Sequence, residues 1–384
     1  MQPQPTNRRP TSSRSLLVLL CSVLLCASLA EATSPSLLSQ LGLVKPELTA
    51  ASVLEHHQST DVISPERSFA GPTLAYVTPW NSRGYEMAER YANKLDYISP
   101  VWYQFKHRGD GRVELEGGHD HDGAWIARVH QRSTHTRIVP RFLFDGWQED
   151  DFRALIRRRS RSQQLASLLR EHCLEHAYDG IVLDAGYLVH LRRNERLFID
   201  FFSRLSAELR DDAKLSVILV LPPPSAHPQA PYTVEIYRKL EPLFDHLQVM
   251  SYDFSAQSPG PNSPLQWLPQ IVNYLIPAPE RTEERLHKLI LGTNFYGYRW
   301  LAKGGGREAV LGTQLVELLE RELVEIAYDE QHAEHSFRLS RSGDVIYFPS
   351  LWSVHARVDM ARALRCGIGI WELGQGLEYF MDVL

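Results

Sequence analysis

Cysteine is scarce in this sequence, and its scarcity excludes a disulfide-built scaffold. Only 4 of 384 residues are cysteine, and Cys21 and Cys26 fall in an apolar stretch near the N-terminus. A chain of this length buries a core without covalent staples. Beyond residue 30 no apolar run approaches the roughly 20 residues of a bilayer-crossing helix, so no membrane insertion is expected. There is no Asn-x-Ser/Thr sequon; Asn262-Ser263-Pro264 fails at its third residue. Positive charge is in slight deficit, 41 Lys and Arg against 46 Asp and Glu, for a net charge of −5. That balance gives no electrostatic reason to expect nucleic acid as a partner. The glycine fingerprint of a dinucleotide fold is missing as well, and no cofactor is expected.

The N-terminus reads as an address. Arg8, Arg9 and Arg14 precede the apolar run Leu16 to Leu29, which closes on Ser28-Leu29-Ala30. Basic, apolar and small-residue zones in this order are those of a secretory signal, expected to be removed near residue 30. Residues 31–72 read as a leader or flexible arm, Ser/Pro-rich at its ends, with one short helix at Pro46 to His57.

From residue 73 a pattern repeats. Short apolar runs, rich in β-branched residues, alternate with amphipathic helical stretches. The runs are Leu74–Val77, Tyr97–Trp102, Ile138–Phe144, Gly180–Leu183, Leu215–Leu221, His246–Met250, Leu289–Gly292 and Gly367–Trp371. Apolar on both faces, they predict buried parallel strands. Helical periodicity falls at Ser82–Lys94, Gly123–Gln131, Glu149–His176, Leu188–Arg210, Thr233–Leu243, Leu265–Leu275 and Ser353–Arg365. Eight such alternations predict an α/β fold, a (β/α)8 TIM barrel over residues 73–384. About residues 298–351 are too long for one helix. They contain strand-like pieces at Ser336–Leu339 and Val345–Phe348, so a small α+β insertion is expected between strands 7 and 8. In such a barrel Cys173 and Cys366 lie on opposite sides, too far apart to bridge, and both are expected free and buried.

Ligands of this fold bind at the carboxyl ends of the strands. Those ends carry Trp80, Trp102, Trp147, Asp184, Tyr187, Tyr252, Asp253, Tyr296, Trp371 and Glu372. Aromatic rings beside carboxylates and amides make the composition of a sugar site, with rings against pyranose faces and polar groups on hydroxyls. No metal is expected from the His-rich spots, His119-Asp120-His121-Asp122 and His332 to His335: the first sits on a loop without a further His or Cys at local spacing and reads as solvated loop residues. The basic run Arg157-Arg158-Arg159-Ser160-Arg161 reads first as a solvated helix face, with anionic glycans or lipopolysaccharide phosphates as the ligand alternative.

Asp179-Gly180-Ile181-Val182-Leu183-Asp184 resembles a degraded form of the D-G-x-D-x-D-x-E signature of glycoside hydrolase family 18, the chitinase family. Met250-Ser251-Tyr252-Asp253, Asn294-Phe295-Tyr296-Gly297 and Gly369-Ile370-Trp371 resemble its strand-6, strand-7 and strand-8 segments. The strings Tyr76–Asn81, Ile98–Trp102 and Ile370–Leu377 are similar to a chitinase-like branch of that family. The resemblance implies that Asp179 and Asp184 occupy the first and third acidic positions. Val182 stands at the second, and Gly186 replaces the Glu that serves as general acid. Loss of a general acid removes a factor of about 10²–10⁴.

The expected function is therefore that of a chitinase-like lectin binding N-acetylglucosamine-containing oligosaccharides. Its expected contacts are Trp371, Tyr252, Asp253, Asp184, Tyr296, Trp102, Trp80 and Trp147. The alternative is a glycoside hydrolase with a relocated carboxylate: Asp184, Asp253 or Glu372. The resemblance further implies lipopolysaccharide and a stabilin-1-type receptor as partners, and secretion with sorting to the lysosome or late endosome.

Overall fold

A computed structural model describes residues 37–61, 63–108, 112–185, 191–224 and 232–384. The leader expected at residues 1–30 lies outside them. Seen from the sequence, β1 (Thr73–Val77), β2 (Tyr97–Pro100), β3 (Tyr103–His107) and β4 (Val113–Glu116) come first. β5 (Arg137–Ile138), β6 (Arg141–Phe144), β7 (Gly180–Asp184), β8 (Ser216–Leu221), β9 (His246–Val249) and β10 (Leu289–Asn294) follow. β11 (Gly297–Trp300), β12 (Arg307–Val310), β13 (Val324–Asp329), β14 (Glu334–Leu339), β15 (Val345–Phe348) and β16 (Gly367–Trp371) complete the chain.

The parallel strands curl into the barrel that the alternation predicts. β6, β7, β8, β9, β10, β16, β1 and β2 are paired in that order, and β2 meets β5 while β3 meets β6. The second and third barrel strands are each broken in two. Pro140, between β5 and β6, has no N–H to give the ladder, yet its carbonyl still accepts from Val182 N at 2.9 Å, so the ring continues to β7. β3 runs on past the barrel into a hairpin with β4.

The apolar runs follow from two buried layers. Leu74, Tyr76, Tyr97, Val139, Val182, Ile218, Val220 and Ile290 form one cluster inside the barrel. Alternate residues such as Ala75, Ile98, Ile181, Leu183, Val217 and Leu219 belong to the larger cluster between strands and helices. Gly180 is required where β7 and β8 touch, because a Cβ there would sit 2.0 Å from the Ser216 carbonyl oxygen. The helical stretch expected over 149–176 is two helices, Glu149–Ile156 and Arg159–Glu175. Arg158 between them is extended (φ −104°, ψ 105°), at the centre of a run of like charges that does not favour one continuous turn. Cys173 and Cys366 are both free and buried.

The α+β insertion expected between the seventh and eighth barrel strands holds more strands than the two pieces legible in sequence. β11 to β15 make a five-stranded antiparallel sheet in the order β12-β11-β15-β14-β13, with the helix Gly312–Arg321 between β12 and β13. A dry ion pair joins it to the barrel. Arg357 Nη2, on the helix Leu351–Leu364, donates to Glu334 Oε1 of β14 at 2.8 Å, and the backbone N–H groups of Asn262 and Ser263 donate to the same carboxylate at 2.8 and 2.6 Å.

The described part of the arm does not hang free. Its helix Ala50–His56 is capped by Thr49, whose hydroxyl accepts from Ser52 N at 3.1 Å; Val53 and Leu38 are buried. Pro46 O lies 2.8 Å from His335 Nε2 of β14, Arg67 forks onto Asp96 through two bonds of 2.7 Å, and Ser68 N donates to Leu384 O at 2.8 Å.

Candidate functional site

At the carboxyl ends of the barrel strands lies a cavity of about 350 Å3. Its floor comes from residues that point into the barrel. Tyr76 of β1 donates to Gln248 Oε1 of β9 at 2.5 Å. Trp371, last residue of β16, leans on Tyr76 with ring centroids 5.1 Å apart and is half-buried, one side open to the cavity. Arg141 of β6 brings its guanidinium carbon to 5.4 Å from the Trp371 ring centroid, and donates to Asp184 Oδ2 at 2.9 Å through Nε and 2.5 Å through Nη2.

The opposite wall follows β9 and β10. Tyr252 packs where Gly292 leaves room; a Cβ on Gly292 would meet the Tyr252 ring at 2.8 Å. Asp253 takes a left-handed backbone (φ 61°). Its N–H donates to Asn262 Oδ1 at 2.7 Å, and its carboxylate accepts the Tyr296 hydroxyl. The insertion adds Tyr298 of β11 and Ala309 of β12 to the wall. The Arg307 guanidinium lies 3.8 Å from the Tyr298 ring centroid. Burial, and then neighbouring ionisable groups, push the Tyr76, Tyr252 and Tyr296 phenols above their ordinary range. They therefore stay neutral donors at any physiological pH.

Trp371, Tyr252, Asp253, Asp184 and Tyr296 thus come together in one cavity. The other residues singled out in the sequence lie elsewhere. Trp102 is buried and donates from Nε1 to Tyr85 OH at 2.6 Å. Trp147, also buried, donates to Phe105 O at 2.8 Å. Trp80 is 70% exposed and does not line the cavity. Asp179 is at the bottom of β7, accepting Ile138 N at 2.7 Å, and Val182 is part of the apolar barrel interior. Gly186 and Tyr187 lie outside the described residues.

Glu372 faces away from the cavity. The carboxylate accepts from Asn81 Nδ2 and, at 3.0 Å, from Gly374 N, and the residue is fully buried. As a relocated acid it is therefore misplaced: its geometry is that of a cap holding the turn after β16. Burial raises this carboxyl from 4.5 to about 7, against the lowering pull of its two hydrogen bonds. A group that protonates more readily folded than unfolded takes up a proton on folding. Its contribution is full below the lower of those values and is lost as pH rises through the higher. Glu372→Gln, which does not ionise, should flatten the decline of stability across that window, by up to about 1.4 kcal/mol per pH unit. Urea midpoints at several pH values check this; an unchanged slope would place the titration on another group.

Tyr76, Arg141, Gln248, Met250 and Tyr298 line the cavity without having been singled out. A signal for two of them stood in the sequence: Arg141 and Gln248 are polar residues inside otherwise apolar runs. A polar side chain on a fully buried strand needs a polar place to go, and in this fold that place is the barrel mouth.

The chemistry available is recognition more than proton transfer. Trp371 offers an apolar face, and the phenols, Gln248, Arg141 and the carboxylates offer hydrogen bonds. Asp184 is committed to Arg141 as an ion pair. Asp253, exposed at the rim, accepts from Tyr296.

Known structures share this architecture. A chitinase from Chromobacterium violaceum ATCC 12472 superimposes with a TM-score of 0.68 at 22% identity, covering 82% of this chain and 98% of that one. A class V chitinase from Nicotiana tobaccum in complex with NAG4 gives 0.67 at 12% identity, covering 81% and 97%. Among curated proteins, the cortical fragment-lytic enzyme of Bacillus subtilis (strain 168) is 23% identical over 256 residues. That alignment takes in 64% of this chain and 58% of the enzyme's own length. The family model for glycosyl hydrolases family 18 matches residues 73–376, the whole barrel apart from its last turn, and the chain belongs to that family.

Proposed function

We propose that the chain is a chitinase-like saccharide-binding protein whose mouth cavity takes N-acetylglucosamine-containing oligosaccharides without cleaving them efficiently. One observation carries the reading: Trp371 presents a ring to the cavity, while each carboxylate that reaches it is already engaged by a neighbour. Gly186, at the signature's acid position, supplies no proton in sequence terms. Binding survives such a loss because contacts are spread over several strand ends, whereas an acid contributes mainly in the transition state. Lipopolysaccharide belongs to the same proposal as a glucosamine-containing glycan. A stabilin-1-type receptor and delivery through the secretory route to lysosomes extend it on sequence grounds alone.

Calorimetric titration with N-acetylglucosamine oligomers tests the reading, beside a reducing-sugar assay for turnover. Saturable binding that weakens about tenfold or more in Trp371→Ala, the worth of a buried stacked ring, with negligible turnover, is the expected result. Turnover abolished by Asp184→Asn would replace the lectin with a hydrolase using a relocated acid. No heat from the unmodified protein would leave a scaffold with an idle cavity.

A further inference from the structure

On the outer flank of the barrel the fold gathers histidines that are far apart in sequence. The helix Arg159–Glu175 carries His172 and Glu175 in its last turn, and His176 is its cap. Residues three and four apart on a helix share a face. One ligand atom from each of His172, Glu175 and His176 lies within 4.8 Å of the other two. The His172 and His176 ring centroids are 4.5 Å apart. His121, from the loop before the helix Gly123–Arg132, brings a third imidazole to 4.5 Å from His176. None of the four lines the sugar cavity.

Ordinary packing accounts for part of this cluster. His176 stacks on Tyr178 at 5.5 Å, and His121 Nδ1 lies 2.5 Å from the Tyr178 hydroxyl. The His172 ring is packed as well, edge-on to Tyr103 with centroids 4.7 Å apart, but its buried Nε2 has no hydrogen-bond partner among the described residues. A buried polar atom without a partner costs about 1–3 kcal/mol in general, and a bound ion that orders this cluster is a physical reason for tolerating it. Neutral imidazole is the form that binds metals. Glu175 is exposed and both ligand histidines are half-buried, so an ion has a path in.

We propose that His172, Glu175 and His176 form a binding site for a divalent transition metal of the zinc class, with a further coordination position facing solvent. Two imidazole nitrogens and one carboxylate suit zinc, whereas magnesium and calcium take oxygen sets. The spacing His-x-x-Glu-His also occurs on the metal helices of one class of zinc peptidases, where it sets two imidazoles on one face. All three proposed ligands fall between His172 and His176, so their spacing stood in the sequence; only the approach of His121, from another element, needed the fold.

Zinc titrated calorimetrically into the chelator-stripped full chain near neutral pH is the test, with magnesium as control. The expected result is one saturable zinc equivalent and no comparable magnesium heat. The double variant Glu175→Ala/His176→Ala should weaken zinc binding at least about tenfold, the low end of what losing even a ligand's supporting partner costs. Both substitutions lie at an accessible helix end, and an unchanged metal-free melting curve certifies that the variant is folded. Zinc should raise the melting temperature of the unmodified protein and not that of the variant. Undiminished zinc binding in the folded variant, no saturable binding at all, or equal binding of magnesium would each overturn the proposal.

Discussion

Arg357→Met should destabilise the protein by about 3–5 kcal/mol, the cost of stranding one member of a dry ion pair. Arg357 is 2% exposed and Glu334 5%, so water cannot take the lost partner's place. The guanidinium also donates to Ser353 O at 2.7 Å and Ala333 O at 3.2 Å, and to the Ser263 carbonyl. Removing it leaves a buried carboxylate beside carbonyls that have lost their side-chain donor. The N–H groups of Asn262 and Ser263 still hold Glu334, and that limits the loss. Chemical unfolding measures it. Adding Glu334→Gln to Arg357→Met should recover only a little of the stability: the amide needs no cation, but its NH2 then faces one of the two backbone N–H donors that the carboxylate accepts. A cost below about 1 kcal/mol for the single variant would mean that the pair is solvated in solution. Sugar affinity should fall too, because the pair anchors the sheet that delivers Tyr298 and Ala309 to the cavity.

The second large effect is expected at Arg141. Arg141→Met leaves Asp184 without its partner, but the pair borders the cavity and water can enter. The stability loss should therefore be nearer about 2 kcal/mol than the dry-pair figure. The functional loss should exceed it. Arg141 also lies beside the Trp371 ring, a contact worth about 0.5–2 kcal/mol, and it fixes the carboxylate orientation a hydroxyl would meet. Oligosaccharide binding should weaken about tenfold or more. Arg141→Lys keeps the charge but loses the forked geometry, so it should restore stability better than affinity. Equal affinities for Met, Lys and unmodified proteins would remove Arg141 from the binding account.

The barrel was legible because both faces of its strands are buried, so each strand is an apolar run between helical periods. The breaks were harder to see. Prolines stand at both, Pro140 between β5 and β6 and Pro100 as the last residue of β2, yet a proline inside an apolar run does not by itself say whether the strand ends or bulges. Within the site, side-chain parity separates the residues that line the cavity from those that do not. Tyr97 belongs to the barrel interior and Val101 packs against it; Trp102, one residue later, falls on the outer face and joins the helix layer. The same alternation turns Tyr76 and Trp371 inward. Arg141 is in register with Val182, and Gln248 with Ile290, so they share the interior face of their neighbours. Reading strand ends by composition gathered aromatics of both faces, and counting in twos from a known interior residue would have parted Trp102 from Trp371. Glu372 misled differently. Adjacent to the best ring, it carries a carboxyl that the following turn consumes. The contribution of β11 and β12 to the cavity wall was not legible, because it depends on how a separate sheet docks against the mouth.

The clamp behind Trp371 bears on how a ligand would be met. Tyr76 supports one side of the ring, Arg141 sits beside it, and Glu372 pins the next residue to Asn81 and Gly374. A guest arriving at the mouth finds its landing surface already rigid. Little rotamer freedom remains to be surrendered on contact, so discrimination would come from fit to a fixed mould rather than from closure around the guest.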